Sequence, residues 1–247
     1  MWDDARQLNA IAVTLGVIAV AFLAWAVVGW VTRLPAFAFR DVVVTTPLTR
    51  ASGAHLESVI RSELSGTFFT MDLDRARAAL ARVPWVGAVT LRRQWPRRLE
   101  IEVDEHEPFA RWNDGSLVDA RGQVFVADFA GELPELNGPD GQAASMVERY
   151  RDWAGQLAPF ALHLTALNLS ARGGWQLRAN DGAGALTLDI GRDDVAGRLS
   201  RFLAVYGRTV GLLVRSGTHV DHVDLRYRNG FAARLPEFRE KPARKRS

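Results

Sequence analysis

The sequence predicts an α+β protein with two small domains that follow a single N-terminal transmembrane helix. Three observations support this prediction. An apolar segment without charged residues covers positions 8–31, and the order β-α-α-β-β follows it up to about residue 106. From about residue 110 the pattern changes to short strands, frequent turns and two helices. We therefore expect a tail at 1–7, the span at 8–31, domains at 37–106 and 107–237, and a basic disordered tail at 238–247.

The first element is the apolar segment LNAIAVTLGVIAVAFLAWAVVGWV, Leu8 to Val31. As a helix it would be roughly 36 Å long, enough to cross a hydrocarbon core of about 30 Å. Trp25 and Trp30 lie near its distal end, where indole rings favour the headgroup region. The segment therefore predicts a transmembrane helix.

A cleaved signal peptide is the competing interpretation, because Ala36-Phe37-Ala38 matches a cleavage site. The apolar run is longer than such peptides use, and the leader contains two aspartates where basic residues are expected. Orientation is open as well, since Arg33 and Arg40 after the span outnumber Arg6 before it. Long C-terminal domains are translocated largely regardless of such charges.

The first domain begins with the β-branched run at 39–45, which predicts a strand. Two amphipathic helices follow, with Ser52 and Asp72 as the expected N-cap residues. Two strands come next, and in LEIEVDE the residues Leu99, Ile101 and Val103 alternate with acidic residues. Trp85 and Trp95 are expected as core or hinge anchors, and Pro96 is expected to set the turn between the strands.

The second domain is expected to be a mostly antiparallel sheet with helices covering one face. Strands are predicted at 122–126, 162–169, 175–177 and 185–190, and helices at 143–157 and 195–212. The second helix carries an apolar stripe at three- and four-residue intervals, which predicts that it faces the core.

Composition excludes several function classes. The net charge is only +3, and five basic residues lie in the last nine positions, so the folded part lacks the basic surface of a nucleic-acid-binding protein. No cysteine is present, so disulfides, thiolate metal sites and cysteine nucleophiles are excluded. Glycine-rich and serine motifs lack the helix or strand context that phosphate binding or nucleophilic catalysis needs. We expect no cofactor.

Two acidic and histidine clusters resemble metal or acid-base sites. Neighbouring side chains at Glu105-His106-Glu107 would point to opposite faces, which favours a structural or solvated role. In HVDHVD, His219 and Asp221 would face one side of a strand while His222 and Asp224 face the other. Neither cluster predicts a metal site.

The segment VDLRYRNGF, residues 223 to 231, predicts a strand and a tight turn at Asn229-Gly230 near the end of the chain. If 219–227 and 230–235 form the last hairpin, the final strand has an open edge that a partner segment could join by β-augmentation. Tyr227 and Phe231 would anchor that segment, and Arg172 and Arg226 would pair with its carboxylates. Internal packing of both rings under a covered edge is the equally open alternative.

The β-α-α-β-β order resembles a POTRA (polypeptide-transport-associated) module. The stretch PWVGAVTLRRQWPRRLEIEVDEHEPFARW, Pro84 to Trp112, resembles the characteristic segment of the FtsQ/DivIB family of bacterial cell-division proteins. The resemblance continues in LVDARGQVF, ELPELNGPDG, LSARGGWQLR, LDIGRDDVAGRLSRF and VDLRYRNGFA, and it covers the chain from residue 8 to about 235.

The resemblance implies a non-enzymatic scaffold of the division machinery, a single-pass inner-membrane protein with a cytoplasmic N-terminus and a periplasmic bulk at the septum. It implies that C-terminal strands bind FtsB, itself bound to FtsL, while the POTRA domain and the transmembrane helix contact other division proteins. The matching positions are Arg172, Arg226, Tyr227, Asn229, Gly230, Phe231 and Ala232. A tryptophan of many relatives is missing near the last strand, and Leu235 is its nearest apolar substitute.

Two other function classes compete with the scaffold. A POTRA-bearing assembly or secretion component would need a β-barrel or repeated POTRA modules, and the chain has room for neither. An envelope enzyme such as a wall hydrolase would need convergent carboxylates or a metal site, and the sequence offers no such set.

Overall fold

The structure is a computed structural model that describes residues 5–182 and 184–235. Contacts within the chain divide it into two compact units, Met1–His106 and Glu107–Ser247. The first four residues of the expected cytoplasmic tail and all of the expected basic tail at 238–247 lie outside the described residues.

The first unit begins with the helix α1, Ala5–Val31. Its segment Asn9–Val31 is the one described helix that is long and apolar enough to cross a membrane, with a mean hydropathy of 2.6 and no buried side chains. A helix satisfies its own backbone hydrogen bonds, and outward-facing apolar side chains suit a hydrocarbon solvent. A 3-10 turn at Pro35–Phe37 follows.

The rest of the first unit has the predicted order β-α-α-β-β. Its elements are β1 Asp41–Val44, α2 Gly53–Glu63, α3 Leu73–Leu80, β2 Val86–Gln94 and β3 Arg98–Glu105. The sheet order is β1-β3-β2, with β1 parallel and β2 antiparallel to β3. Leu99, Ile101 and Val103 are buried in one core cluster with Leu56 of α2 and Leu80 of α3, which confirms the alternation in LEIEVDE.

Both predicted helix caps of this unit are confirmed. The Ser52 hydroxyl accepts a hydrogen bond from the His55 backbone N–H, and Asp72 accepts from the N–H groups of Asp74 and Arg75. Each bond satisfies donors that a helix leaves unpaired at its first turn.

The two tryptophans of this unit differ in burial. Trp85 is half-buried, whereas Trp95 is 67% exposed in the turn between β2 and β3. Of the two roles expected for Trp95, core or hinge anchor, the core role is therefore wrong, because the ring lies on the surface against Phe37 and Phe68.

In its described residues, 107–182 and 184–235, the second unit is a nine-stranded mixed sheet with three α-helices. Its strands are β4 Pro108–Trp112, β5 Ser116–Asp119, β6 Val124–Phe125, β7 Glu135–Asn137, β8 His163–Leu169, β9 Trp175–Asn180, β10 Ala185–Gly191, β11 His222–Asp224 and β12 Ala232–Arg234. The sheet order is β12-β11-β10-β9-β8-β7-β4-β5-β6. Five pairs are antiparallel, and β4/β7, β7/β8 and β10/β11 are parallel.

The helices of the second unit are α4 Ala143–Leu157, α5 Val195–Tyr206 and α6 Val210–Arg215. The prediction of a single helix at 195–212 is therefore wrong: α5 ends at Tyr206, directly before Gly207, a residue type with low helix propensity, and a separate helix α6 begins at Val210. The predicted apolar stripe still packs on the core, since Phe202 of α5 and Val210 of α6 are both buried.

Candidate partner-binding site

The strand β12 lies at one end of the nine-stranded sheet. It pairs antiparallel with β11 in the register His222↔Arg234, Val223↔Ala233 and Asp224↔Ala232. Within 5–182 and 184–235, β11 is its single neighbour, so the other edge of β12 leaves backbone groups without a strand partner. Ala232 and Arg234 are exposed, while Ala233 is half-buried against the core.

The connection from β11 to β12 is longer than predicted. The tight two-residue turn at Asn229-Gly230 was wrong: β11 ends at Asp224 and β12 begins at Ala232, so a seven-residue loop covers 225–231. Gly230 does not adopt a left-handed backbone conformation. The ends of the loop pack on the core through Leu225 and Phe231, so the strand pairing stops at Asp224 and Ala232 and does not continue to Asn229-Gly230.

The two aromatic residues of this loop point into different environments. Tyr227 is 58% exposed. Phe231 is half-buried, and its ring centroid lies 5.4 Å from that of Phe202 in an edge-to-face contact. Of the two anchors that the sequence proposed for a partner, Tyr227 is thus available at the surface, and Phe231 is largely used inside the protein.

A groove of about 690 Å³ runs between this loop and α5. Its loop side includes Tyr227, Asn229, Gly230 and Phe231, and its helix side includes Arg198 and Arg201 among other residues. The structure therefore gathers four of the sequence-derived site residues on one side of a cationic groove next to β12.

Arg226 already has a partner within the protein. Its Nε and Nη2 donate to Oδ1 and Oδ2 of Asp224 at 2.9 and 2.7 Å, and its backbone N–H also donates to Oδ1. The Arg226 guanidinium holds the pKa of Asp224 below its usual value, although burial raises it. Arg226 is therefore held in a fixed orientation, and its two strongest donors would have to be shared with any carboxylate of a partner.

Arg172 lies in the turn between β8 and β9, which the backbone closes through Gly173, at a φ of 81°. Its side chain is exposed. Ala171, next to it in the chain, and Arg226 both line a shallow depression of about 600 Å³ on the sheet face opposite the helices. Of the two arginines that the sequence singled out, Arg226 lines this depression and Arg172 does not, and Tyr227 lines a different one.

Leu235 and Arg234 occupy the place where many relatives were expected to carry a tryptophan. Leu235 is half-buried against the core, and Arg234 donates through Nη2 to Asp221 at 2.8 Å. The hydrogen bond from Arg234 lowers the pKa of Asp221. This cross-strand ion pair holds β12 against the segment that leads into β11.

A row of polar side chains crosses five strands on the open sheet face, and sequence reasoning missed it. Asn137 donates to Asn168, Asn168 to Gln176 and Gln176 to Asp189, at 2.9, 3.4 and 2.7 Å, and Asp189 also contacts His222 at 3.2 Å. We call these five residues the polar ladder. The sequence signal for the polar ladder was weak: in each short strand, one polar residue stands next to an apolar residue.

The histidine and aspartate clusters have structural roles. His222 and Asp221 are used by the contacts with Asp189 and Arg234. Glu105 accepts hydrogen bonds from the Thr49 hydroxyl and from the N–H groups of 49, 50 and 51. In the part of the chain that the structure describes, no group of three or more histidine or acidic residues could hold a metal ion.

The chain is similar to known cell-division proteins along its whole length. The model of the family "POTRA domain, FtsQ-type" matches residues 37–106, and that of "Cell division protein FtsQ/DivIB, C-terminal" matches 110–226. Cell division protein FtsQ of Bordetella pertussis is 35% identical over an alignment of 279 residues that covers all of both chains.

Two further relatives bear the same name. The protein of Burkholderia pseudomallei is 33% identical, with 97% of this chain and 96% of the relative covered. The protein of Escherichia coli K12 is 33% identical, with 84% and 76% covered.

Proposed function

Because the chain belongs to the FtsQ/DivIB family of non-enzymatic cell-division proteins, we propose that it binds a division partner along the open edge of β12. The observation that carries the proposal is an edge strand with one described neighbour, next to the exposed ring of Tyr227. An exposed edge invites an added strand, so an end strand with a single neighbour among the described residues favours a binding role.

The edge by itself is too short to bind tightly. Its three residues offer only a few backbone groups, and each hydrogen bond contributes about 0.5–1.5 kcal/mol net. Micromolar affinity requires about 8 kcal/mol. Side-chain anchors must supply the difference, and Tyr227 has the size and exposure of such an anchor.

The remaining site residues would contribute in different ways. Asn229, Gly230 and Ala232 are exposed beside the edge, where their backbone could contact the partner. Phe231 and Leu235 are half-buried and would contact the partner through the exposed parts of their side chains. Arg172 and Arg226 would attract carboxylates of the partner, the latter while keeping its bond to Asp224. A suitable partner is thus an acidic segment that can extend as a strand.

We assign that partner as FtsB, in complex with FtsL, and the role of the whole chain as a scaffold that links early and late division proteins. The POTRA domain and α1 would contact other division proteins. In this proposal residues 1–7 are cytoplasmic, 8–31 cross the inner membrane, and the domains at 37–106 and 107–237 lie in the periplasm at the septum.

Replacement of Tyr227 by alanine tests the proposal. We expect Tyr227→Ala to weaken binding of an FtsB–FtsL complex by about 2 kcal/mol, roughly 30-fold in Kd, measured by interferometry on the full chain in detergent. Stability should change little, because the ring is largely exposed.

Val126→Ala is the control, since Val126 is 72% exposed and directly follows β6, at the opposite end of the same sheet. We expect it to bind like the unaltered chain. Equal affinities of all three proteins would mean that the partner does not use the β12 edge.

A further inference from the structure

Five aromatic rings gather where α1 leads into the first domain. They come from three separate segments of the chain and form the juxtamembrane cluster, whose members are Phe37, Phe39, Phe68, Phe69 and Trp95. Successive ring centroids lie 5.2 to 6.5 Å apart. Rings that meet from three segments form a defined surface feature, because isolated exposed aromatics would not contact one another.

Hydrogen bonds tie this cluster to the end of the transmembrane helix. The hydroxyl of Thr67 donates to the carbonyl oxygen of Thr32 at 2.6 Å, and Thr32 directly follows α1. The Phe68 N–H donates to the Phe37 carbonyl at 2.8 Å. Because Phe37 is only six residues beyond Val31, the cluster lies within about 20 Å of the end of the span.

Two rings of the juxtamembrane cluster are strongly exposed, although contact between an aromatic ring and water is unfavourable. Trp95 is 67% exposed and Phe69 is 49% exposed. Outside α1, Tyr227 is the other large aromatic side chain with comparable exposure in the described ranges. Contiguous exposed rings mark a contact surface, whereas single apolar residues at a surface are ordinary.

Arginines surround the exposed ring of Trp95. Arg40, Arg97 and Arg98 line one depression of about 490 Å³ together with Trp95, and Asp41 is the acidic residue in that lining. In the described ranges none of these three arginines forms an ion pair. This side of the unit therefore combines apolar rings with an excess of positive charge, three arginines against one aspartate.

We propose that the juxtamembrane cluster and its arginines form a lipid-contact site, which lies on the headgroup region of an anionic bilayer. Trp95 and Phe69 would enter the interface, where aromatic rings are favoured. The guanidinium groups of Arg40, Arg97 and Arg98 would bind lipid phosphates.

A bilayer is favoured over a protein partner by the position of the site. The helix that crosses the membrane is joined to the cluster by a hydrogen bond, so the headgroup layer lies close to these rings in the full chain. The combination of aromatic and basic side chains matches the two chemical features of that layer. The site would hold the first domain in a fixed orientation at the membrane surface.

A nitroxide spin label on an engineered cysteine can test this proposal, since the natural chain contains no cysteine. Ser65 is exposed and lies two residues before Thr67, so Ser65→Cys places the label beside the cluster. The labelled full chain is reconstituted alone in vesicles of phosphatidylcholine with and without phosphatidylglycerol. Accessibility is measured to oxygen, which concentrates in lipid, and to a water-soluble nickel chelate.

We expect the label to favour oxygen over nickel in vesicles that contain phosphatidylglycerol. The variant Phe69→Ser with Trp95→Ser should lose this preference, although neither exposed ring supports the core. In the variant in which Arg40, Arg97 and Arg98 become glutamine, the oxygen preference of the label should no longer differ between vesicles with and without phosphatidylglycerol. The control Val126→Ser should behave like the unaltered chain.

A label that remains equally accessible to nickel in the unaltered chain and in both variants would overturn the proposal. That result would leave a protein partner as the ligand of the cluster, because the vesicles contain lipid and no other protein. An oxygen preference that is unchanged in both variants would also overturn the proposal, because tethering by α1 would then account for the depth of the label.

Discussion

Individual charged and glycine residues determine local geometry in both units. Glu105 accepts three backbone N–H groups at 49–51 and so fixes the segment that enters α2. Burial raises the pKa of Glu105, but the hydrogen bonds from Thr49 and from these amides lower it more, below its ordinary value of 4.5. In the second unit Gly191 leaves space for Arg226 beside β10.

The lowered pKa of Glu105 predicts a pH-dependent local stability. Because the folded pKa is below 4.5, the carboxylate contributes its full stabilisation above that pH and loses it as the pH falls through the folded value. Glu105→Gln should therefore reduce hydrogen-exchange protection at 49–51 at pH 7 by about 1–2 kcal/mol, and the difference should shrink below pH 4.5.

The control for this prediction is Glu102→Gln, on the exposed face of the same strand. It should leave the protection of residues 49–51 unchanged at every pH. A difference between Glu105→Gln and the unaltered chain that does not depend on pH would contradict the proposed role of the charge.

We expect Gly191 to affect stability through its backbone conformation and the position of Arg226 through the lack of a side chain. Its φ is 81°, and an added Cβ would lie 2.9 Å from Arg198 Nη1 and 3.1 Å from Arg226 Cγ. Gly191→Ala should cost about 1–3 kcal/mol in unfolding free energy and displace Arg226. Calorimetry measures the change in unfolding free energy, and affinity for the proposed partner, the FtsB–FtsL complex, measures the displacement of Arg226.

Gly182→Ala is a matched control, because Gly182 has a similar φ of 85° and no atom within 4 Å of the added Cβ. It should show the loss of stability without the loss of affinity. If both variants lose affinity equally, backbone strain and not the position of Arg226 determines binding.

At the scale of elements, the loop 225–231 and α5 determine where the edge strand lies. Phe231 anchors the loop on Phe202 of α5, while Arg234 and Asp221 hold β12 beside the start of β11. The polar ladder holds β7 to β11 together on the open face. The edge is therefore positioned by contacts on both faces of the sheet and does not depend on the turn sequence alone.

Removal of the Phe231 ring should loosen this edge. Phe231→Ala should lower unfolding free energy by up to about 3 kcal/mol, increase hydrogen exchange at 232–234 and weaken partner binding. The control is Phe160→Ala. It removes a ring whose centroid lies 5.8 Å from that of Tyr206, which belongs to α5 like Phe202. Exchange at 232–234 that rises equally in both variants would show that general stability, and not the Phe231 anchor, sets the order of β12.

At the scale of the whole molecule, the chain has two units with separate cores, and in the described residues an apolar helix begins the first of them. This arrangement fits a scaffold, because each unit can offer its own surface to a different partner. The proposed orientation places the domains at 37–106 and 107–237 in the periplasm. The charges next to the apolar segment do not determine the orientation, since Arg33 and Arg40 follow that segment and Arg6 precedes it.

Single cysteines can test the orientation in a chain that has none. We expect Val126→Cys to react with a membrane-impermeant maleimide in spheroplasts, because long C-terminal domains are translocated largely regardless of charge. Asp3→Cys should react only after lysis. Reaction of Asp3→Cys before lysis, with Val126→Cys protected, would establish the opposite orientation.

Much of the fold could be predicted because its signals are local. Caps at Ser52 and Asp72, the apolar helix and the alternation in β3 each depend on residues a few positions apart. The strands β4, β5 and β7 were missed because three to five residues carry too little periodicity. Within the site, the sequence could not show that Phe231 packs on Phe202 while Tyr227 is exposed.

The sequence by itself determined the membrane helix, the order of the first domain and the family, because hydrophobic spacing and motifs are written within short stretches of chain. Only the tertiary structure decided that β12 lies at the end of the sheet, that Arg226 is held by Asp224, and that Trp95 joins rings more than 50 residues away at Phe37. Strand order and ring contacts depend on which distant segments share a core, and local periodicity carries no information about that choice.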